Sequence, residues 1–361
     1  VVTLIVVPER RGAASPSTSI REQLAALPGI LKNKLFWRFA APFSIGYALF
    51  MSYQTLWAAP WLRDVVGLDQ DAVAAAIGHG ITLFDTAEVY GPNHSEEILA
   101  KALGARRQEI TLVTKVGFEY DGDKVLGRNS QAAHITEHTE GCLRRLNTDV
   151  IDLMLIHWPD HDTPFDETMG ALERLKADGK IRHYGVSNFT VEMMKECEQS
   201  GHLAANQVGY HLFDRRMEAE VLPYCLESQT GFMAYGSLGF GLLSGAFTPE
   251  TTFVDWDWRS RGKAFELPLF EQEHFLKELR VGERLKEFAA GYDKTLPQLA
   301  LAWVLGNPAV SVALVGMRNE HELTENIAAI DWRLRDDDRA TIDKIFEEEG
   351  VPTYVDTAQA V

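Results

Sequence analysis

At 361 residues the chain can fill one large α/β barrel or two ordinary domains, and 46% apolar with 24% charged residues excludes disordered, collagen-like and many-spanning compositions. A formal net charge of −17 argues against nucleic acid as a partner, because little in the chain would replace the counterions of a phosphate backbone. Cys142, Cys197 and Cys225 are odd in number and far apart, which indicates neither a disulfide framework nor a thiolate zinc site, and reduced thiols in a cytoplasm are expected.

Residues 1–40 hold an apolar run and then a Ser/Pro/Ala-rich stretch to which the sequence assigns no role. From Phe39 to Leu62 there is no charged residue. About 20 apolar residues suffice to span a bilayer, but Pro42 and Pro60 break this stretch, and Ser44, Ser52, Gln54 and Thr55 interrupt it. A buried strand among residues 43–58 is the expectation, and the start does not resemble a secretory signal. Further on, short β-branched runs alternate with longer amphipathic ones. ITLFD (81–85), ITLVTKV (110–116), VIDLMLIH (150–157), IRHYGVS (181–187), NQVGY (206–210), GFMAYGS (231–237) and SVALVG (311–316) read as buried parallel strands. Between them lie helical patterns such as SEEILAKALGA, with Ser95 as its expected N-cap, and PFDETMGALERLKADGK, closed by Gly179. Eight βα units without a doubled nucleotide-binding half predict a single (β/α)8 TIM barrel over 41–350 and a tail over 351–361.

Barrel enzymes work at the carboxyl ends of their strands. Asp85 ends one strand, Tyr90 lies in the loop after it, and Lys115 and His157 end the next two. Each alone is more often a cap, packing or surface residue; together they describe one chemistry. A lysine ammonium stabilises a phenolate and is expected to lower the phenol's pKa, a carboxylate keeps that lysine charged, and an imidazole supplies a second hydrogen bond to the oxygen that the phenol protonates. That is a site for reducing a carbonyl by hydride, with the hydride coming from a cofactor.

LFDTAEVYG, LVTKVG, LMLIHWPD, IRHYGVSNF and GMRNEHELTENI, spread in order from about residue 65 to about 335, resemble the aldo-keto reductase superfamily. The likeness is to the branch of bacterial aldehyde and sugar reductases and potassium-channel β subunits. The resemblance implies that Asp85, Tyr90, Lys115 and His157 are a catalytic tetrad with Tyr90 as general acid. Channel β subunits commonly carry Asn where this chain has His157. It further implies that Ser187, Asn188 and Gln207 clamp a nicotinamide carboxamide and that Tyr235 stacks on its ring; helix capping and packing would equally explain Asn188 and Tyr235. In GSLGFGLLSG, Gly236, Ser237, Leu238, Gly239, Gly241, Leu243 and Gly245 offer small residues and backbone N–H groups to a pyrophosphate. Gly316 ends a strand, and Arg318 stands where an adenosine 2′-phosphate would lie, which predicts NADPH. Glu322, where related sequences usually have Gln, also admits NADH, since a carboxylate accepts a ribose hydroxyl or repels a phosphate. Glu325 and Asn326 resemble the adenine-contacting pair. Trp57 matches the tryptophan after the family's first strand, although SYQTLW lacks the glycines that normally precede it.

Two other readings compete. One is a non-turnover, cofactor-binding subunit that docks on a membrane protein, raised by the channel likeness and by the uncharged stretch. The other is a metal-dependent hydrolase, raised by His157, Asp160 and His161 and by His134 and His138 one helical turn apart, although the last pair is expected on an outer helix away from the mouth. The long loop 247–270, with Trp256, Trp258, Arg259 and Arg261, either closes over the cofactor or is a surface excursion.

Overall fold

The computed structural model describes residues 2–3, 70–91, 93–122, 124–255, 257–317 and 319–355. The strand expected among residues 43–58, the uncharged stretch, Trp57, Trp256 and Arg318 lie outside the described residues.

In chain order the elements are β1 (Val2–Thr3), α1 (Gln70–Gly78), β2 (Leu83–Asp85), α2 (His94–Leu103), β3 (Thr111–Val116), a hairpin of β4 (Phe118–Asp121) and β5 (Lys124–Arg128), and α3 (Ala132–Arg145). They continue with β6 (Ile151–Ile156), α4 (Phe165–Ala177), β7 (Ile181–Ser187), α5 (Val191–Cys197), β8 (Ala205–Gly209), α6 (Val221–Ser228) and β9 (Gly231–Tyr235). The last are α7 (Gln272–Ala290), α8 (Leu296–Leu305), β10 (Val310–Ala313), β11 (Val315–Gly316), α9 (Glu320–Ile327) and α10 (Asp336–Glu349). The main sheet runs β10-β9-β8-β7-β6-β3-β2-β1-β11, with parallel pairing throughout. Only Leu314 separates β10 from β11, and its N–H donates to Ala234 O at 2.7 Å. One stretch of chain therefore pairs with β9 and, through β11, with β1, and the sheet returns on itself as the expected (β/α)8 barrel.

Period-two alternation along these strands sorts side chains into two cores. Val113, Leu153, Leu155, Ala205, Met233 and Leu314 fill the barrel interior, with Leu83 and Val312 against them. Phe84, Leu112, Met154, Ile156, Val186 and Phe232 face outward and pack with helix residues such as Ile98, Ile135 and Leu172. Each such buried aliphatic contributes about 1.5–3 kcal/mol. On β7 the interior position is Gly185, where a Cβ would stand 2.3 Å from Ala205 O and 3.0 Å from Leu155 Cδ2, so no larger residue fits that layer.

The helix ends are mostly local in origin. Thr190 caps α5 by accepting from Met193 N, and Thr295 forms a reciprocal capping box with Gln298 on α8. Ser95 departs from its expected role. Helix α2 begins at His94 after Asn93, and the Ser95 hydroxyl instead pairs with Thr86 Oγ1 at 2.7 Å, fixing the Tyr90 loop to the helix that follows it.

Candidate active site

The barrel's own alternation aims the site. Two residues beyond Leu83, Val113, Leu155, Gly185, Ala205 and Met233 stand Asp85, Lys115, His157, Ser187, Gln207 and Tyr235. A strand that points one residue into the interior points its second neighbour the same way, so six chemically distinct groups meet at one mouth.

Lys115 is completely buried. Its Nζ donates to Asp85 Oδ1 at 2.5 Å and to Thr86 O at 2.9 Å, and it lies 5.1 Å from the centre of the Tyr90 ring. Burial works against the ammonium, but Asp85 and the Tyr90 phenol outweigh it, and the lysine pKa is raised. The other oxygen of Asp85 accepts from Gln207 Nε2 at 2.8 Å. Asp85 is thereby spent on two protein donors.

Tyr90 departs from the simplest electrostatic expectation. Burial raises its pKa, Lys115 lowers it through charge and a hydrogen bond, and Asp85 raises it again; the net direction is up. The phenol thus stays protonated at neutral pH, with the Lys115 ammonium placed where it would stabilise a phenolate. His157 is nearly buried, and its pKa is driven well below the ordinary histidine value by burial and then by Lys115. Its neutral ring sits edge-on to Tyr90 at 5.5 Å and to Phe118 at 5.0 Å. Among the described residues His157 Nδ1 is buried without a hydrogen-bond partner.

The residues expected at a nicotinamide also converge. Ser187 Oγ donates to Gln207 O at 2.8 Å, and Asn188 takes a left-handed backbone conformation at φ 65°. Asn188 Nδ2 donates to His157 O and Ser187 Oγ, while its Oδ1 accepts from Tyr235 Oη at 2.9 Å. Both Nδ2 hydrogens of Asn188 are thus committed, whereas its Oδ1 can accept a second hydrogen bond beside that from Tyr235. The Tyr235 ring packs against Phe265 at 5.3 Å, and Asn188, Tyr235, Phe265 and Trp158 line one pocket together with the buried Asp214–Arg216 ion pair. After β9, Gly236, Gly239, Gly241 and Gly245 all have φ between 58° and 107°. A Cβ at Gly236 would meet Phe240 at 2.8 Å, and one at Gly241 would meet Phe247 at 2.6 Å. The positive φ angles suit glycine at all four positions, and at Gly236 and Gly241 the packing of Phe240 and Phe247 also excludes a side chain. The Ser237 hydroxyl donates to Ala234 O, Leu243 is wholly buried and Leu238 partly so.

The loop after this stretch is tied down. Arg259 binds Asp257, donates to Phe240 O at 3.2 Å, and lies over Phe247 and Phe253. Its role as the tether between loop and glycine-rich turn was not evident from sequence; an Arg among aromatic residues in a long loop is the only signal. At the far side, Gly316 ends β11, and Asn319 caps α9 by accepting from Glu322 N at 2.9 Å. Glu325 and Asn326 follow on that helix, and Glu325 O accepts from Gln298 Nε2. Among the described residues no group of three or more His, Cys, Asp or Glu could hold a metal.

The model of the aldo/keto reductase family matches residues 68–347. The chain belongs to the aldo/keto reductase family. This aldo-keto reductase is an NAD(P)H-dependent oxidoreductase that reduces carbonyls. It resembles the solved glycerol dehydrogenase AKR11B4 from Gluconobacter oxydans, at 36% identity and TM-score 0.73 over 78% of this chain and 86% of the other. It is 32% identical to the NADH-specific methylglyoxal reductase of Escherichia coli over 77% of this chain and 87% of that one. A Klebsiella pneumoniae aldo/keto reductase solved with NADP and acetate gives 31% identity and TM-score 0.61 over 77% of this chain and 85% of the other.

Proposed function

We propose that this aldo-keto reductase converts small aldehydes or ketones, sugar-like carbonyls among them, to alcohols with NADPH, and that Tyr90 supplies the proton. The observation that carries this is Lys115, wholly buried, held by Asp85 and Thr86 O, and set beside a phenol whose pKa is raised. The nicotinamide supplies hydride to the carbonyl carbon when bound. Tyr90 Oη gives its proton to the carbonyl oxygen, Lys115 stabilises the phenolate left behind, and neutral His157 donates a second hydrogen bond to the same oxygen. Asp85 never meets substrate; it keeps Lys115 charged.

Ser187, Asn188 and Gln207 hold the carboxamide, Tyr235 packs on the ring, and Gly236 to Gly245 accept the pyrophosphate along their main chain. Gln207 Oε1 accepts no hydrogen bond among the described residues and suits an amide N–H. Arg318 and Glu322, with Glu325 and Asn326, decide between NADPH and NADH. The E. coli relative's name specifies NADH and the Klebsiella relative was solved with NADP, so both cofactors belong in the test. Relatives named for methylglyoxal and glycerol support a small, oxygen-rich substrate. A cytoplasmic place is supported by three free, buried cysteines.

The membrane-docked, non-turnover alternative drew on the channel likeness and on an uncharged stretch outside the described residues; among the described residues no helix is long and apolar enough to cross a membrane. The test is oxidation of NADPH and of NADH with a panel of small aldehydes and ketones, comparing the native chain with Tyr90→Phe. Turnover that Tyr90→Phe loses is expected. No turnover with any carbonyl, or full activity in Tyr90→Phe, would sink the proposal, and cofactor binding without turnover would favour the subunit reading.

A further inference from the structure

A second set of ionisable groups lies under the Tyr90 loop, on the side away from the barrel mouth. Glu88, two residues before Tyr90, is fully buried. Its backbone N–H donates to Lys115 O at 3.2 Å and its carbonyl accepts from Asn93 N at 2.7 Å, so this residue is the loop's midpoint anchor. Its carboxylate turns to α3, where Oε2 lies 2.7 Å from His138 Nδ1 and 3.9 Å from Arg145 Nη2. Glu88 Oε1 is buried with no hydrogen-bond partner among the described residues.

Arg145 is committed mainly elsewhere. Its Nε donates to Glu96 Oε2 at 2.6 Å, and the other Glu96 oxygen accepts from Thr114 Oγ1 on β3 at 2.6 Å. One guanidinium thus faces two buried carboxylates, Glu96 with its pKa raised by burial, and His138 is the cationic group within hydrogen-bond distance of Glu88. The remaining neighbours supply no other. From β4 come the Tyr120 ring, edge-on to His138 at 5.6 Å, and Glu119, 4.0 Å from His134 Nδ1. On α3 itself, His134 is stacked on His138 at 3.7 Å, Glu137 is near in charge, and Cys142 lies beside Arg145. His134 donates Nε2–H to Phe118 O, and burial followed by the His138 charge lowers its pKa, so it is the neutral partner of the pair. The two histidines lie on the outer helix α3, as their spacing implied, and His138 reaches from there to Glu88 in the loop that carries Tyr90.

We propose that the His138–Glu88 ion pair is a latch that positions Tyr90 for proton donation, an inference that rests on reading Tyr90 as the donor. With His138 charged, Glu88 is neutralised where it lies and the loop keeps its bonds to β3. Without that proton the Glu88 carboxylate retains only a distant Arg145 and is drawn towards water, and Tyr90 moves with it. Burial opposes the His138 charge, but the Glu88 hydrogen bond and charge prevail, raising its pKa above the ordinary 6.5. A raised pKa leaves the latch closed below it and opens it as pH rises through it. The Tyr90 phenol, raised above 10.0, ionises later, so the two events are separable in pH.

The experiment is the pH profile of kcat/KM for aldehyde reduction at saturating NADPH, with an imidazole NMR titration of His138 in the resting protein. The native chain should lose activity in a limb between about pH 6.5 and 10. In His138→Gln, which leaves the Glu88 carboxylate without its partner, that limb should vanish and leave a rate lower by about 10- to 100-fold, as small misplacements of a reacting group produce; in Glu88→Gln, which has no charge to be drawn to water, the limb should vanish with the rate held at its low-pH level. Cofactor affinity, read by protein fluorescence, should stay within about twofold, because Ser187, Asn188 and Gln207 are on other strands. The His138 titration should fall towards 6.5 or below in Glu88→Gln. Glu88→Asp, which keeps the charge but withdraws it from His138, repeats the test if His138→Gln does not fold. Native rate and an unchanged limb in these variants overturn the latch. If Tyr90→Phe is inactive while His138→Gln behaves as native, the latch alone fails; if Tyr90→Phe is fully active, the donor assignment fails and the latch with it.

Discussion

Two layers of the barrel interior, two residues apart on the same strands, are chemically opposite. The lower layer is apolar, built from Val113, Leu153, Leu155, Ala205 and Met233. The layer above it at the mouth holds Asp85, Lys115, His157, Ser187, Gln207 and Tyr235. Both are enclosed, yet only the lower one gains from being so, because removing a charge from water costs several kcal/mol before any partner is found. The contrast teaches where stability and chemistry reside: the scaffold is finished one layer down, and the mouth is free to hold groups that a folding protein would otherwise avoid.

The widest separation between the layers should come from Tyr90→Phe. Reduction should fall by about 10²- to 10⁴-fold, while melting temperature and cofactor affinity hold near native; a comparable loss of melting temperature would show that Tyr90 is structural. Next, Lys115→Met should remove activity and also about 3–5 kcal/mol of stability, since Asp85 is left buried with Gln207 alone. Denaturant unfolding of Lys115→Met with Asp85→Leu sharpens the point: stability should return and activity should not. In the lower layer, Leu155→Ala should cost about 2–5 kcal/mol with kcat changed only a few-fold. If kcat instead collapses, the two layers are not independent.

Smaller effects follow from His157 and Ser187. The folded pKa of His157 lies well below its unfolded value, so on acidification the unfolded chain takes up the proton first. Native stability should therefore fall as pH drops below about 6.5, and His157→Gln should flatten that dependence in melts at pH 5 to 7. Ser187→Ala removes a hydrogen bond of about 1 kcal/mol, and fluorescence titration should find cofactor binding weakened by roughly fivefold.

Most of the barrel was legible because its strands are short, β-branched and bounded by turn residues, and IRHYGVS matches β7 to the residue. The convergence of Asp85, Tyr90, Lys115 and His157 was legible for the same reason, since three of them lie at or next to a strand end and Tyr90 in the loop after one. The β4–β5 hairpin was less so. Its Asp121–Gly122 turn is a hairpin signal, but β5 is exposed throughout and carries no buried alternation to confirm it. Helix α7 does carry its pattern, with Phe275, Glu278, Val281, Gly282, Leu285 and Ala289 on the buried face. What the sequence did not disclose are the tertiary pairings. Glu88 reads as one more acid in a loop until α3 is laid across it, and Gln207 reads as a cofactor residue until its amide is found on Asp85, 122 positions away.

That last contact has a thermodynamic meaning. On the proposed reading Gln207 belongs to two ligand systems at once: its oxygen answers to the cofactor, and its Nε2–H is already given to the carboxylate that holds Lys115. If cofactor binding shifts this amide and so changes the acidity of Tyr90 through Asp85 and Lys115, then by reciprocity the protonation state of Tyr90 alters the affinity for the cofactor by that same factor. The oxidised and reduced cofactors, which differ in charge, are then expected to meet differently poised phenols, so that direction of turnover and proton inventory are joined through a single side chain.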